Sequence, residues 1–232
     1  KKLNDNEKAE KYYRIAQNIT DENLKTVEEI TSEASSIDYS AFEFINTELL
    51  KITYSIFLKD YLYHLFEENL NFFKVTLKLI TLEDDGDCFF SYISSKPQGR
   101  IDFIPLGNFY DINGNILRAK YRQINENSYN VDIEEKDINK NLPVIFIGTQ
   151  NRFIKKTENG YIIDYSETIL APRIAKRIFS ISSRFKITDI KSEIKYERFK
   201  TERYELIILD LNTLKTFKPY DLKISMETEP SS

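Results

Sequence analysis

Apolar residues recur at helical spacing through the first third of the chain. The first such face consists of Ala9, Tyr12, Tyr13 and Ala16, at positions i, i+3, i+4 and i+7. Later segments repeat the spacing with Leu24, Val27, Ile30, Ala34, Phe42, Ile45, Leu49, Ile52, Ile56, Tyr61, Leu62, Leu65, Phe66 and Phe72. We therefore predict three to four helices over residues 6–73.

The period changes to two from Lys74 onwards, which is the spacing of a β-strand. Asp85-Gly86, Asn113-Gly114 and Asn159-Gly160 follow, and such pairs are the strongest short-range signal for a hairpin turn. We expect them to join Val75–Glu83 to Cys88–Ser94, Asn108–Ile112 to Ile116–Gln123, and Arg152–Thr157 to Tyr161–Tyr165. Further strands are predicted around Tyr129–Ile133 and Val144–Ile147.

The last part of the chain mixes one helical pattern with strand patterns. Ala171–Ser183 is predicted as a helix, because Pro172 lies in its first turn and apolar residues follow at helical spacing. Strands are predicted over Lys186–Lys200, Arg203–Leu211 and Leu222–Met226. The chain is thus divided into a helical region (1–73), an antiparallel β-rich domain (74–226) and a frayed tail (227–232).

This order of elements predicts an α+β fold, with the helices first and a curved antiparallel sheet afterwards. A curved sheet with one inserted helix resembles the cone-shaped fold of nuclear transport factor 2. That resemblance implies a concave sheet with a pocket lined by Tyr and Phe, of which the chain has 15 and 16. Such a pocket binds a ligand or carries out catalysis.

The helix around Tyr13 resembles the second helix of a tetratricopeptide repeat. Ala9, Tyr13, Ala16 and Asp21 match the pattern of small and aromatic residues followed by a turn. The resemblance covers about 15 residues, and it implies a surface for protein–protein contact, as in stacked helical repeats. The partner-binding residues expected in the helical region are Tyr12, Tyr13, Ala16, Phe42, Tyr54, Tyr61 and Phe66.

Composition and charge narrow the classes of partner. The net charge is −4, and the pI near 5.3 provides no global field that attracts nucleic acid. Lys, Ile and Asn are abundant, as in proteins of AT-rich bacterial genomes, including those of some spirochaetes. The chain opens with Lys1 rather than Met, which fits either a leader that was removed or a sequence that was cut, and both leave room for an anchor upstream. We expect a location in the periplasm or cell envelope, and the cytoplasm stays open as the alternative.

Cys88 is the single cysteine of the chain. The run Asp85-Gly86-Asp87-Cys88 resembles the signature around the nucleophile of ovarian-tumour-type cysteine proteases. That family needs a His downstream of the Cys, whereas the single histidine here is His64, which lies upstream. We therefore predict that Cys88 is a structural residue with a raised thiol pKa.

The remaining motif-like stretches have structural interpretations. Asp84, Asp85 and Asp87 lack the spacing of a calcium-binding loop, and one His with one Cys does not form a zinc site. Basic residues interleaved with Phe are interpreted as a solvated helix face: Arg173, Lys176, Arg177, Arg184 and Lys186. No catalytic residue, metal site or cofactor is predicted.

Two functional hypotheses remain open. The first is a non-enzymatic scaffold protein of a bacterial cell envelope, which binds another protein through its helical N-terminal region. The alternative is a ligand-binding or enzymatic module that uses a concave, Tyr- and Phe-lined pocket of the sheet. A pocket with convergent polar groups favours the second hypothesis, and an exposed apolar groove on the helices favours the first.

Overall fold

The computed structural model describes residues 47–65, 74–95, 99–101, 103, 105–126, 128–134, 143–149, 152–168, 173–211 and 219–228. In this part of the chain the fold is predominantly β, with a single helix and three sheets. The predicted α+β fold is therefore wrong. The predicted helices before Thr47 lie outside the described residues.

The main sheet has eight strands in the order β13-β14-β11-β1-β2-β8-β4-β5. Their bounds are β1 Lys74–Leu82, β2 Cys88–Ser94, β4 Gly107–Tyr110, β5 Ile116–Leu117, β8 Val144–Thr149, β11 Arg173–Ser182, β13 Tyr196–Lys200 and β14 Tyr204–Asp210. The two central strands, β1 and β11, run parallel, and the other neighbours pair antiparallel.

Two smaller antiparallel sheets accompany the main sheet. The second sheet has the order β12-β15-β10-β9, with β9 Ile154–Lys156, β10 Gly160–Thr168, β12 Phe185–Ser192 and β15 Pro219–Thr228. The third sheet has the order β3-β7-β6, with β3 Gly99–Ile101, β6 Ala119–Asn125 and β7 Ser128–Ile133. Side chains of both sheets share one core with the main sheet.

The helix α1, Thr47–Leu65, docks on the opposite face of the main sheet. Leu49, Leu50, Tyr54 and Phe57 are each at most 2% exposed, and they pack against residues of the main sheet such as Leu77. This packing gives the apolar face of the helix a partner surface on the main sheet. The fold thus has three layers, with the main sheet in the middle.

The strand β11 replaces the helix that the sequence predicted over Ala171–Ser183, so the cone-shaped fold with an inserted helix is wrong. β11 has main-sheet neighbours on both sides and packed layers on both faces. Ala175 and Phe179 face one core and Ile178 faces the other. A strand that is buried on both faces loses its period-two signal, and its apolar residues then match a helical spacing by chance.

The hairpin predictions hold for β1–β2 and for β9–β10, and they hold in part for Asn113-Gly114. Gly86 and Gly114 adopt the positive φ that such turns require, at 89° and 81°. The third turn is centred on Glu158 and Asn159 instead, with Thr157 N donating to Gly160 O at 2.9 Å. Gly160 already belongs to β10, where a Cβ atom would collide with the backbone of Met226.

Several strand predictions agree with the structure, and one predicted strand corresponds to two strands. β7 and β8 occupy the segments predicted around Val131 and over Val144–Ile147. The predicted strand Lys186–Lys200 is two strands, β12 and β13, which belong to different sheets. The domain division at residue 73 stays a prediction. No helix within the described ranges is long and apolar enough to span a membrane.

We predict that the docking of α1 contributes several kcal/mol to stability. Leu50 is 0% exposed, and replacing such a side chain in L50A leaves a cavity that costs about 2–5 kcal/mol. Urea denaturation measures the loss. The control is K59A, which removes an exposed side chain from the same helix. Equal stability of the two variants would contradict the docking.

Candidate functional site

A buried ion cluster connects the main sheet to the second sheet. Lys78 of β1 and Arg177 of β11 are direct neighbours in the parallel ladder, and both bind Glu167 of β10. Lys78 Nζ donates to Glu167 Oε1 at 2.8 Å, while Arg177 Nε and Nη2 donate to Oε2 and Oε1 at 2.7 Å each. The side chains are 3%, 1% and 5% exposed for Lys78, Arg177 and Glu167.

Two tyrosine hydroxyls complete the set of donors around this carboxylate. Tyr165 of β10 and Tyr220 of β15 each donate to Glu167 Oε2 at 2.7 Å. The two carboxylate oxygens thus accept hydrogen bonds from four different side chains, and the Arg177 contact is bidentate. This saturation is necessary because removing a carboxylate from water costs several kcal/mol unless charges and hydrogen bonds compensate it.

The cluster also shifts the pKa values of its members. Burial, followed by the Glu167 carboxylate, raises the pKa of both Tyr165 and Tyr220 well above the ordinary tyrosine value. Burial opposes the charge of Arg177, but Glu167 and the tyrosine oxygens outweigh it and raise the pKa of this guanidinium. The tyrosines are therefore neutral hydrogen-bond donors and Arg177 is charged, so the cluster holds two cations against one carboxylate.

An open cleft lies beside the cluster, and Glu167 belongs to both. We call it the Arg100–Arg152 cleft. Its volume is about 600 Å³, and it lies where β10 meets β3, the β6–β7 turn and the segment before β9. The residues that line it are Arg100, Asn125, Glu126, Ser128, Arg152, Phe153, Asp164, Ser166, Glu167 and Thr168.

The cleft exists because β9 is much shorter than β10. β9 pairs with Tyr161–Ile163 only, and Asp164 N then donates to Phe153 O at 2.7 Å. Beyond Asp164, no strand in the described part of the chain pairs with this edge of β10. Ser166 and Thr168 therefore border an opening in the sheet rather than a neighbouring strand.

Two guanidinium groups from different elements line the cleft. Arg100 Nη2 donates to Ser128 Oγ at 3.0 Å, which fixes it against the β6–β7 hairpin. The guanidinium carbon of Arg152 lies 4.6 Å from the centre of the Phe153 ring, which packs in turn against Tyr165 with ring centres 4.8 Å apart. Burial lowers the pKa of Arg152, while Tyr165 and Glu167 oppose that shift.

Most of the carboxylates that line the cleft form ion pairs with cations of the chain. Lys155 of β9 forms an ion pair with Asp164, and this contact lowers the pKa of Asp164. Glu167 is bound by Lys78 and Arg177 inside the cluster. Glu126 remains as the third carboxylate of the lining. Two of the three lining carboxylates are therefore bound by cations of this chain, whose net charge is −4.

The chemistry that this arrangement supports is binding and orientation of an anion. Guanidinium groups are always charged, and their planar fork fits a carboxylate or a phosphate with two parallel hydrogen bonds. Within the described residues, no group of three or more His, Cys, Asp and Glu side chains is placed to hold a metal ion. Asp85 instead accepts a hydrogen bond from Asp87 N at 3.0 Å, and Asp84 accepts one from Ser182.

Of the partner-binding residues predicted from the sequence, Tyr54 alone has a described side chain, so the predicted binding surface stays a prediction. Tyr54 is 2% exposed and lies in the core between α1 and the main sheet. Tyr61 belongs to α1, but its side chain is outside the description. The other predicted residues lie outside the described residues: Tyr12, Tyr13, Ala16, Phe42 and Phe66.

Sequence reasoning missed the cluster and misplaced its arginine. The basic stretch that includes Arg177 was predicted to be a solvated helix face, yet Arg177 is 0% exposed and lies on a central strand. Lys176, its neighbour, pairs with Asp60 of α1 at 2.8 Å on the other face of the sheet. The available signal was a charge placed inside an apolar run, as in Leu77-Lys78-Leu79.

Cys88 is a core residue, as the sequence predicted. It begins β2, is 2% exposed, and lies in the core with Phe90. Burial, followed by the nearby Asp87 carboxylate, raises the pKa of its thiol to about 12. A thiol with this pKa is protonated at neutral pH and is a poor nucleophile.

We predict that Cys88 resists modification in the folded protein. Because the thiolate is the reactive form and the thiol pKa is about 12, an aromatic disulfide reagent at pH 7.5 should react slowly with native protein. The same reagent should react completely in 8 M urea. Rapid modification without urea would contradict a buried thiol.

We predict that E167Q is strongly destabilised although it preserves the shape of the side chain. The amide cannot neutralise Lys78 and Arg177, and removing one partner of a buried ion pair costs about 3–5 kcal/mol. Urea denaturation measures this difference. E158Q in the exposed β9–β10 turn is the control, with an expected change below about 0.5 kcal/mol. A similar small loss in both variants would rule out a structural role of the cluster.

No protein-family model matches the chain, and a comparison with curated proteins also gives no match. The tetratricopeptide resemblance of the Ala9–Asp21 segment is therefore wrong as an assignment. The predominance of strands in the described residues also argues against a helical repeat protein.

Proposed function

We propose that this protein is a ligand-binding module that holds a small polar ligand with an anionic group in the Arg100–Arg152 cleft. The observation that supports this proposal is the presence of two guanidinium groups, Arg100 and Arg152, in one cleft of about 600 Å³. Binding sites for small molecules commonly have volumes of about 300–1,000 Å³ and use a few placed polar groups for orientation.

The charges around the cleft favour an anion over a cation. Asp164 is paired with Lys155, and Glu167 is bound by Lys78 and Arg177. A ligand therefore meets two lining arginines, with Glu126 as the opposing carboxylate. Cations that line one opening raise the local concentration of anionic ligands there.

The uncharged residues that line the cleft indicate the chemistry of the ligand apart from its anionic group. Ser128, Ser166 and Thr168 contribute hydroxyl groups, and Phe153 contributes the aromatic residue. Hydroxyl groups exchange hydrogen bonds with a polyhydroxylated body. A hydroxylated ligand with a carboxylate or phosphate, such as a sugar acid or a sugar phosphate, matches these features.

The proposal follows the second hypothesis from the sequence, with a different lining. A pocket rich in Tyr and Phe was expected, whereas the cleft is mainly polar. Binding of a protein partner through the helical N-terminal region stays a prediction, because residues 1–46 lie outside the described residues. The envelope location also stays a prediction.

Isothermal titration with glucose 6-phosphate, gluconate and glucose tests the proposal. We expect the two anions to bind and glucose to bind at least tenfold more weakly, since a bidentate charged contact is worth about 1.5–3 kcal/mol. R152A and R100A should each lower the affinity for both anions by about tenfold or more. Absence of binding by both anions would reject the proposal.

The matched control is R203A. Arg203 also lies over the aromatic ring that follows it in sequence, with its guanidinium carbon 5.7 Å from the centre of the Tyr204 ring, but it does not line the cleft. Its removal should leave anion affinity within twofold of the original protein. An equal loss in R203A and R152A would show that the anions respond to total charge and would place the site elsewhere.

A further inference from the structure

Strand β6 is a second surface with an unusual distribution of charge. Among the described residues it forms one edge of the third sheet and pairs with β7 only, with a register shift between Gln123 and Asn125. Six of its seven residues are exposed, from Lys120 to Asn125. Tyr121 and Ile124 are 40% and 48% exposed, and the Tyr121 ring stacks on Phe109 with ring centres 6.3 Å apart.

The cations of this strand have one carboxylate across the ladder, because Asp132 of β7 lies opposite Lys120, whereas Asn130 lies opposite Arg122. Arg118 precedes β6, and Lys120 and Arg122 follow at two-residue spacing, which places Lys120 and Arg122 on one face. No ion pair connects any of the three with another described residue. Of the described edge strands with five or more residues, β6 alone carries no carboxylate, since β12 contains Asp189 and β13 contains Glu197.

From these observations we infer that β6 is a docking edge for an acidic, extended segment of another protein, which adds to the third sheet as a further strand. The free edge of a strand presents unpaired backbone N–H and C=O groups, and only another polypeptide strand matches their spacing. Carboxylates at every second position of that segment would oppose Lys120 and Arg122 across the new pair. Tyr121 provides an apolar contact on the other face of β6, and Ile124 adds one at the register shift near the end of the strand.

The same charges argue against a second copy of this chain as the occupant. Antiparallel pairing of two β6 edges would bring the cations of one copy against those of the other, and like charges that face each other destabilise a sheet. Lys and Arg on an edge strand protect it from self-association in this way. These cations act selectively, because they attract an acidic strand and repel the β6 strand of a second copy.

Nucleic acid is a poorer match than an acidic polypeptide. It satisfies the cations but leaves the backbone groups of the β6 edge without partners, and the pI near 5.3 supplies no general field for it. The docking edge also differs from the Arg100–Arg152 cleft, because Lys120 and Arg122 do not line that cleft. The two proposals therefore stand or fall separately.

A labelled octapeptide of alternating Glu and Val tests this inference by fluorescence anisotropy on the full chain. We expect binding that weakens as salt increases, and an affinity at least tenfold lower in the double variant K120E/R122E. The control is K186E/K191E, which makes the same charge change on exposed residues of β12, another edge strand. Its affinity should stay within twofold of the original protein.

Amide hydrogen exchange then locates the bound peptide. Protection should appear in the Lys120–Gln123 segment, and it should be absent with an octapeptide of alternating Lys and Val.

The inference is overturned if the Glu peptide does not bind, if both double variants lose affinity equally, or if protection appears on another edge. Binding of an oligothymidylate of equal charge at tenfold higher affinity than the peptide would overturn it in favour of nucleic acid. If circular dichroism shows that K120E/R122E is unfolded, K120Q/R122Q replaces it with the same expectations.

Discussion

The burial of one carboxylate, Glu167, constrains much of this structure. Its charge is removed from water, so the fold must bring compensating donors to it from several strands. Lys78 and Arg177 supply the positive charge from the main sheet, and Tyr165 and Tyr220 supply hydroxyl groups from the second sheet. The two sheets can therefore pack together only in the register that places all of these groups around one carboxylate.

The parallel pairing of β1 and β11 follows the same requirement. In this ladder Lys78 lies directly opposite Arg177, an arrangement of two like charges that is unfavourable alone. Glu167 bridges the two cations and converts the repulsion into an attraction. A shift of either strand by one residue would turn its cation towards the helix layer, where Leu77 and Ile178 form an apolar core. The charged cluster thus specifies the register that the apolar residues of these strands, taken alone, leave ambiguous.

The sequence was sufficient to predict the strands whose apolar and polar residues alternate and the hairpins with a local turn signal. The β1–β2 hairpin around Gly86 and the strands β7 and β8 were predicted with nearly correct bounds, because turn chemistry and period-two patterns are local. It failed for β11, where burial on both faces removed the alternation and Pro172 suggested a helix start. It also failed for the site. Residues 78, 167, 177 and 220 are far apart in sequence, and no motif connects them; only the tertiary packing brings their charges together.

The positive sites of this protein show why net charge is a poor guide to its partners. The chain carries four more acidic than basic residues, yet two of its surfaces carry clustered cations. At the Arg100–Arg152 cleft, Lys155 and the buried cluster neutralise two of the three lining carboxylates. On β6, the strand has no carboxylate of its own. Since solvent ions screen exposed charges beyond about 10 Å at 0.1 M salt, an approaching anion responds to these local groups and not to the total. An acidic protein can therefore bind anionic partners, provided that the carboxylates near the binding cations are themselves paired.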